Sequence, residues 1–168
     1  MRHLVIALFG AVLLVSTLVS SGAVASDMDH HHGVVVEQAW ARATPGAAKS
    51  GAAYVTLSNH GDEVDRLIEV KSDLAARTEI HTHVMTDNVM KMMKVEGGVE
   101  IEPGSPTVFK PGGLHIMFMG LNQPFVEGET LPVTLVFEKA GEMTIDVTVQ
   151  SIGAMEPMKM DHDHSHGS

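Results

Sequence analysis

The sequence predicts an all-β domain, an antiparallel sandwich or barrel, from three observations. Runs rich in β-branched and apolar residues recur along the chain with Gly, Pro, Asn and Asp between them. Their spacing of about 8–12 residues is typical of such folds. Apolar and polar residues alternate in the last run, from Met143 to Gln150, as a half-buried strand requires. No segment after the N-terminal leader keeps the period of an amphipathic helix.

The predicted strands follow one another between turn signals. The first joins residues 34–36 to residues 39–41, and a break at Pro45-Gly46 separates it from the second. Further turns are expected at Asp87-Asn88, Gly97-Gly98 and Pro111-Gly112-Gly113. The remaining predicted strands are 51–57, 67–70, 78–85, 89–95, 107–109, 114–119, 131–137 and 143–152.

Residues 1–25 have the pattern of a secretory signal peptide. Arg2 and His3 form a short basic start, residues 4–19 are almost entirely apolar, and Ala23-Val24-Ala25 is a small-x-small cleavage pattern. A retained membrane anchor is the alternative, but the apolar run is shorter than the about 20 residues that a spanning helix needs. No Cys lies near the cleavage pattern, which argues against a lipid-anchored form. We therefore expect a periplasmic protein with no membrane insertion after cleavage.

The mature chain divides into three parts. Residues 26–33 are polar and His-rich, and residues 153–168 form a tail rich in Met and His. Neither segment has enough apolar surface to offset the entropy lost on ordering, so both are expected to be disordered. Residues 34–152 are expected to fold as one domain of ordinary size. His30-His31-His32 follows a natural-looking cleavage site, so we interpret it as native and weakly metal-binding.

Composition excludes several classes of function. The formal net charge of −10 argues against nucleic acid and anionic membranes as partners, because both need a basic surface. The chain has no Cys, so it can form neither a disulfide nor a thiolate metal site. Blue-copper and dicopper electron-transfer centres are excluded for the same reason.

Methionine and histidine are abundant, with twelve and eleven residues respectively, and they share strand faces. A single Met in a β protein is more often a core filler than a ligand. Here, however, the strand pattern sets His115, Met117 and Met119 opposite the apolar Leu114, Ile116 and Phe118. The same parity groups His81 with His83 and Met85, and Met90 with Met92. Three neighbouring runs with such faces indicate a site assembled between strands, and soft thioethers select Cu(I).

The chain resembles the periplasmic copper chaperones called PCu(A)C, which have a cupredoxin-like Greek-key fold. Their motif is His, ten residues, Met, twenty-one residues and His-x-Met. In this chain ten residues (82–91) separate His81 from Met92, and His115-Ile116-Met117 matches the closing His-x-Met. The resemblance extends over residues 34–150. It includes Ala39-Trp40-Ala41-Arg42, Asp65-Arg66-Leu67 and Lys110-Pro111-Gly112-Gly113.

The resemblance implies a Cu(I) site formed by four residues: His81, Met92, His115 and Met117. The gap from Met92 to His115 is twenty-two residues (93–114), one more than in the motif, which leaves Met93 as an alternative ligand. Strand parity with Met90 favours Met92. His83, Met90 and Met119 are candidates for a second set of donors that takes part in copper exchange, with packing or solvated roles as the alternative.

The C-terminal tail is a separate candidate metal site. Its donors are Met155, Met158, Met160, His162, His164 and His166. Imidazoles suit Cu(II) and thioethers suit Cu(I), so the tail is interpreted as a second copper-binding element that takes Cu(II). The alternative is a tail that serves solubility only.

These observations predict a monomeric copper metallochaperone rather than an enzyme. It would deliver Cu(I) to the dicopper site of a respiratory cytochrome oxidase, or to another copper carrier. A copper-sequestering or resistance protein without a dedicated oxidase acceptor is the alternative. Enzyme-like fragments occur at His81-x-His83 and at His60-Gly61-Asp62, but the remaining ligands of such metal sites are missing.

Overall fold

The computed structural model describes residues 33–157, which form ten β-strands. β1 to β5 lie in the first half of this region. They are β1 (Val34–Arg42), β2 (Ser50–Asn59), β3 (Asp65–Lys71), β4 (Ala75–Thr86) and β5 (Val89–Lys94). The remaining strands are β6 (Val99–Ile101), β7 (Thr107–Val108), β8 (His115–Leu121), β9 (Thr130–Phe137) and β10 (Gly141–Gln150). The predicted all-β class is confirmed. Within residues 33–157, no helix is long and apolar enough to cross a membrane.

All of the strands belong to one sheet with the order β5-β4-β8-β2-β1-β10-β9-β3-β6, and β7 pairs with β2 off this path. The sheet departs from a purely antiparallel one at a single described pair, because β1 and β10 run parallel. This parallel pair joins the β5-β4-β8-β2-β1 half, which carries the predicted ligands, to the β10-β9-β3-β6 half. β5 and β6 are the two edge strands.

Asn59, at the end of β2, ties the middle of the strand order to edge strand β6. It forms an isolated bridge with Pro103, just after edge strand β6. Its Nδ2 donates hydrogen bonds to the carbonyl oxygens of Ile101 (2.9 Å) and Glu63 (2.7 Å). Its Oδ1 accepts a hydrogen bond from the Gly61 backbone N–H at 2.9 Å. Since β2 lies in the middle of the strand order, these bonds curve the sheet around one core.

The core lies inside this curved sheet and is made mainly of aliphatic and aromatic side chains. In β8, Ile116 and Phe118 are fully buried, as their parity predicts. In β10, Val147 and Val149 are fully buried, whereas Met143 and Ile145 are half-buried. Full burial of such side chains contributes about 1.5–3 kcal/mol each, so these strands anchor the fold.

Most strand ends differ from the predicted ones by one to three residues, and three differences have a clear physical reason. β6 was not predicted, because three residues with Glu100 at the centre carry almost no periodic signal, although Ile101 is fully buried. The two predicted runs 34–36 and 39–41 are one strand with a bulge between Val36 and Gln38. β10 ends at Gln150 rather than at residue 152, since the chain turns there and Ala154 N–H bonds to Ser151 O at 3.0 Å.

Replacing Asn59 by Ala is expected to destabilise the protein by about 2 kcal/mol or more, because buried backbone groups lose their partners. Urea unfolding of wild-type and variant proteins measures this difference. Asn122→Ala is the matched control, since Asn122 is exposed and donates one bond to Asp73 O at 2.7 Å. Equal losses in the two variants would contradict a special role for Asn59.

Candidate metal centre

The predicted donors lie on three adjacent strands, β5, β4 and β8, whose register places them on one face. His81 of β4 is directly opposite His115 of β8. His83 of β4 is directly opposite Met92 of β5. Residues directly opposite each other in an antiparallel pair have their side chains on the same face of the sheet. The imidazoles and thioethers therefore share one surface, although the chain separates β4 from β8 by many residues.

The other face of the same strands belongs to the core. Ile80 lies opposite Ile116 and Thr78 lies opposite Phe118, and both isoleucines are buried. Met93 lies opposite Thr82 and so projects to this face, away from His83. The register thus favours Met92 over Met93 as the donor that faces the imidazoles.

A two-residue turn fixes the register between β4 and β5. Asp87 and Asn88 both have positive φ, 52° and 60°, the left-handed conformation that a tight hairpin turn of this kind requires. Asp and Asn adopt this conformation more readily than most residues. The turn sets Met85 opposite Met90 and, two residues further, His83 opposite Met92.

A pocket of about 420 Å³ opens on this face. Three of the four predicted ligands line it, namely Met92, His115 and Met117, together with His83. His81 does not belong to the pocket wall, although it lies opposite His115. No Asp, Glu or Cys lines the pocket. The other lining residues are Arg42, Thr44, Ser50, Gly51, Ala52, Tyr54, Pro111 and Gly112.

One side of the donor set is buried and the other is exposed. His115 is only 3% exposed, so it lies below the protein surface. Met117 is half-buried, and Met92 on the edge strand is 47% exposed. A metal ion held here would have a fixed, buried ligand on one side and an accessible one on the other.

The three imidazoles are close to one another. The ring centroids of His83 and His115 are 5.1 Å apart, and those of His81 and His115 are 6.0 Å apart. A metal–imidazole bond is about 2 Å long, so either pair is near enough to share one ion. His115 Nδ1 is 2.9 Å from Gly113 O, which identifies Nδ1 as the N–H donor and leaves Nε2 free to bind a metal.

Burial lowers the pKa of His115 below its ordinary value of 6.5. The nearby imidazoles of His83 and His81 lower it further, while the hydrogen bond to Gly113 opposes the shift. The lowered pKa keeps the ring neutral near pH 7, and the neutral ring is the form that binds metal ions.

His81 has a carboxylate partner. Its Nε2 lies 2.8 Å from Glu79 Oε2, and Arg77 Nε lies 3.3 Å from the other oxygen of Glu79. The hydrogen bond from His81 lowers the pKa of Glu79, and the charge of Arg77 adds to this effect. His81 Nδ1 is buried and has no hydrogen-bond partner within the described residues.

Thioethers accompany the imidazoles at this face of the sheet. Among residues 33–157, no group of three His, Asp or Glu side chains could hold a metal ion. The pocket supplies the sulfur atoms of Met92 and Met117 beside the imidazoles of His83 and His115. This donor set matches a soft monovalent ion rather than a hard divalent one.

The predicted secondary donors lie in different places. Met90 is 58% exposed, at the tip of the β4–β5 hairpin opposite Met85. Met119 is two positions beyond Met117, and its sulfur lies 3.5 Å from Arg77 Nη2. Met155 is near the pocket, as described next. The other predicted tail donors lie outside the described residues, namely Met158, Met160, His162, His164 and His166. The predicted signal peptide also lies outside them.

Arg42 is a pocket residue that the motif did not identify as part of the site. Its guanidinium lies 5.7 Å from the ring centroid of Tyr54, which packs against Trp40 with 4.5 Å between centroids. Arg42 Nε donates to Ala154 O at 2.6 Å, and Nη2 lies 2.8 Å from Met155 Sδ. The C-terminal tail therefore starts at the wall of the pocket. Trp40 and Arg42 are two residues apart in β1, so they share one face of the sheet. The sequence does not predict that this face lies near β8.

The chain matches the LpqE-like family model, described as "Putative lipoprotein LpqE-like", over residues 34–149. It is 33% identical over 130 residues to "Putative lipoprotein Lxx21020" of Leifsonia xyli, which covers 76% of each chain. It is 30% identical over 115 residues to "Uncharacterized protein RP573" of Rickettsia prowazekii, over 67% of this chain and 64% of that protein.

Solved structures with the same fold include PCuAC domains. The copper-bound PCuAC domain from PmoF2 is 29% identical with a TM-score of 0.60, over 71% of this chain and 93% of that domain. The apo PCuAC domain from PmoF1 is also 29% identical, with a TM-score of 0.61, over 71% and 94%. Apo-DR1885 from Deinococcus radiodurans is 26% identical with a TM-score of 0.56, over 90% and 97%.

These likenesses agree with the cupredoxin-like all-β fold described above. They also agree with the resemblance drawn from the His and Met motif. The family match spans every strand except the last residue of β10. Its structural neighbours include PCuAC domains, and the chain belongs to the LpqE-like family.

Proposed function

We propose that this protein is an exported copper carrier. It binds Cu(I) through His81, Met92, His115 and Met117, and it delivers the ion to the dicopper site of a respiratory cytochrome oxidase. The pocket carries this proposal, because its wall combines imidazoles and thioethers with no carboxylate or thiol. Such a donor set discriminates against hard divalent cations and favours Cu(I).

The relatives support copper as the cargo. The PmoF2 domain that resembles this chain is described as copper-bound. A solution structure of DR1885 is described as the Cu(I) form, and this chain is 28% identical to it with a TM-score of 0.53. The name of the family model and the name of the Leifsonia xyli protein both include the word lipoprotein. This suits an exported protein and supports our proposal of a periplasmic location.

Carrier behaviour follows from the uneven burial of the donors. Neutral thioethers and imidazoles bind Cu(I) less tightly than thiolates, and they avoid the oxidation that threatens thiols outside the cytoplasm. His115 would hold the ion from the buried side. Met92 is half exposed and would be the first ligand that an acceptor could replace. His83 and Met90 are near enough on the same face to take part in that exchange, and Met119 is a more distant member of the set.

The C-terminal tail is proposed as a second copper-binding element that takes Cu(II). Because Arg42 holds Ala154 and Met155 at the pocket, donors in the tail would start close to the Cu(I) site. A tail of this kind also favours a second candidate function, copper sequestration, in which the protein buffers copper without a dedicated acceptor.

Removing a predicted ligand is expected to abolish tight Cu(I) binding. Met117→Leu conserves side-chain volume but removes the sulfur. It should lower Cu(I) affinity by more than about 100-fold, because losing a ligand costs more than losing a residue that only hydrogen-bonds a ligand. His115→Gln should do the same. Anaerobic competition with a Cu(I) chelator measures both.

Two variants serve as matched controls for the ligand test. Met143→Leu changes a half-buried strand Met on β10, away from the site, and His60→Ala changes an exposed loop His. Both should bind Cu(I) as the wild type does. Wild-type affinity in Met117→Leu would contradict the assignment of this ligand.

Deleting residues 158–168 is expected to remove most Cu(II) uptake while leaving the Cu(I) site intact. This deletion keeps Ala154 and Met155, so the contacts of Arg42 remain. Equilibrium dialysis with each ion measures the two capacities. A full-length control with His162, His164 and His166 changed to Asn separates the loss of imidazoles from the loss of chain length. Unchanged Cu(II) uptake in both would contradict the tail proposal.

Delivery is tested by mixing the Cu(I)-loaded protein with a purified apo dicopper domain of an oxidase. The acceptor should acquire copper from the loaded protein well above the rate at which it acquires copper from a Cu(I)–chelator complex of equal affinity. Met143→Leu should transfer like the wild type. Copper that stays on the carrier, with an acceptor proven competent by direct loading, would favour sequestration instead.

A further inference from the structure

Glu79 and His81 form a side-chain pair beside the proposed copper site. They are two residues apart in β4 and so project from the same face of the sheet. Glu79 Oε2 and His81 Nε2 are 2.8 Å apart, and the two side chains are only 19% and 14% exposed. This geometry constrains which nitrogen of His81 can bind a metal ion.

An ionised carboxylate can only accept hydrogen bonds. The nitrogen of His81 that faces Glu79 must therefore carry the proton, which makes Nε2 the N–H donor. In the neutral ring the lone pair is then on Nδ1. Nδ1 is buried and has no hydrogen-bond partner in the described part of the chain.

A buried polar atom without a partner is rare and calls for a physical reason. In the neutral ring, Nδ1 has a lone pair that a metal ion can accept. His115 lies directly opposite His81, with ring centroids 6.0 Å apart, so an ion bound to one ring is within reach of the other.

We propose that Glu79 is a positioning residue that fixes the tautomer of His81 and directs Nδ1 to the copper ion. The inference rests on the proposed function, in which His81 is a ligand. The hydrogen bonding of His115 is the reverse, since its Nδ1 is bonded to Gly113 O and its Nε2 is free. The two imidazoles would thus bind one ion through different nitrogens. Arg77, 3.3 Å from the second oxygen of Glu79, holds the carboxylate in place.

This arrangement would let His81 bind the ion although it does not line the pocket. Nδ1 is the ring nitrogen nearer to the backbone, so a ligand bound there lies close to the sheet. Glu79 also lies directly opposite Met117, so the positioning carboxylate is next to a second predicted ligand. His83 has no such carboxylate in the described contacts, and its Nδ1 is 3.4 Å from Gly113 O, a long contact.

The tautomer can be observed directly by ¹⁵N NMR of the imidazole rings in the full-length protein. Without copper, His81 should be the Nε2–H tautomer and His115 the Nδ1–H tautomer. On adding Cu(I), the large change in ¹⁵N shift should occur at Nδ1 of His81 and at Nε2 of His115. A Cu(I)-induced change at Nε2 of His81 would overturn the inference.

Substitution of Glu79 supplies a second test. Glu79→Ala removes the acceptor and should lower Cu(I) affinity by about 10–100-fold, the effect typical of outer-shell partners. Glu79→Gln keeps an oxygen that can accept from Nε2–H, so it should retain the tautomer and most of the affinity. Glu142→Ala is the matched control, since Glu142 is an exposed strand carboxylate paired with Lys71.

The results separate this inference from the proposed function. If the wild type binds no Cu(I), the proposed function fails. If the wild type binds Cu(I) and Glu79→Ala binds it equally well with unchanged ¹⁵N shifts at His81, the function stands and the role of Glu79 is refuted. If Glu79→Ala and Glu79→Gln lose affinity equally while the His81 tautomer is unchanged in both, a positioning role is also refuted.

Discussion

The pairing of β4 with β8 is the constraint on which the rest of the site depends. It sets Ile80 opposite Ile116 on the core face and His81 opposite His115 on the outer face. A slip of one residue would turn the imidazoles toward the core face and the isoleucines toward the outer face, so burial of the core enforces the register of the donors. The Asp87-Asn88 turn then extends the same register to β5 and brings Met92 opposite His83. The arrangement of imidazoles and thioethers at this face thus depends on hydrophobic packing at the other.

The outer face grades from buried to exposed, and this gradient suits a carrier better than a permanent metal site. His115 is enclosed, Met117 is half-buried and Met92 is on an edge strand near solvent. A closed site of four buried ligands would hold its ion against any acceptor. In the proposed site, the Glu79–His81 pair would add order, because a fixed ring orientation would reduce the entropy lost when copper binds.

Several features were predictable from the sequence because they are local. Alternation in β8 and β10 identified the core faces, and the turn residues located most strand ends. β6 was missed because three residues carry too little periodicity, although Ile101 is part of the core. The contribution of Arg42 and Tyr54 to the pocket could not be predicted, because it requires β1 and β2 to lie beside β8. The sequence also did not predict that His83, rather than His81, lines the pocket wall.

The sequence by itself determined the kind of chemistry that is available. The chain has no Cys and many Met and His residues, and the spacing of these residues is set by the sequence alone. None of these properties depends on how the chain folds. Only the tertiary structure decided which donors meet, how deeply each is buried and which nitrogen each imidazole presents. The reason is that these properties arise from contacts between residues far apart in the chain, such as His81 with His115 and Arg42 with Met155. Local patterns do not encode such contacts, because they form only when the sheet curves around its core.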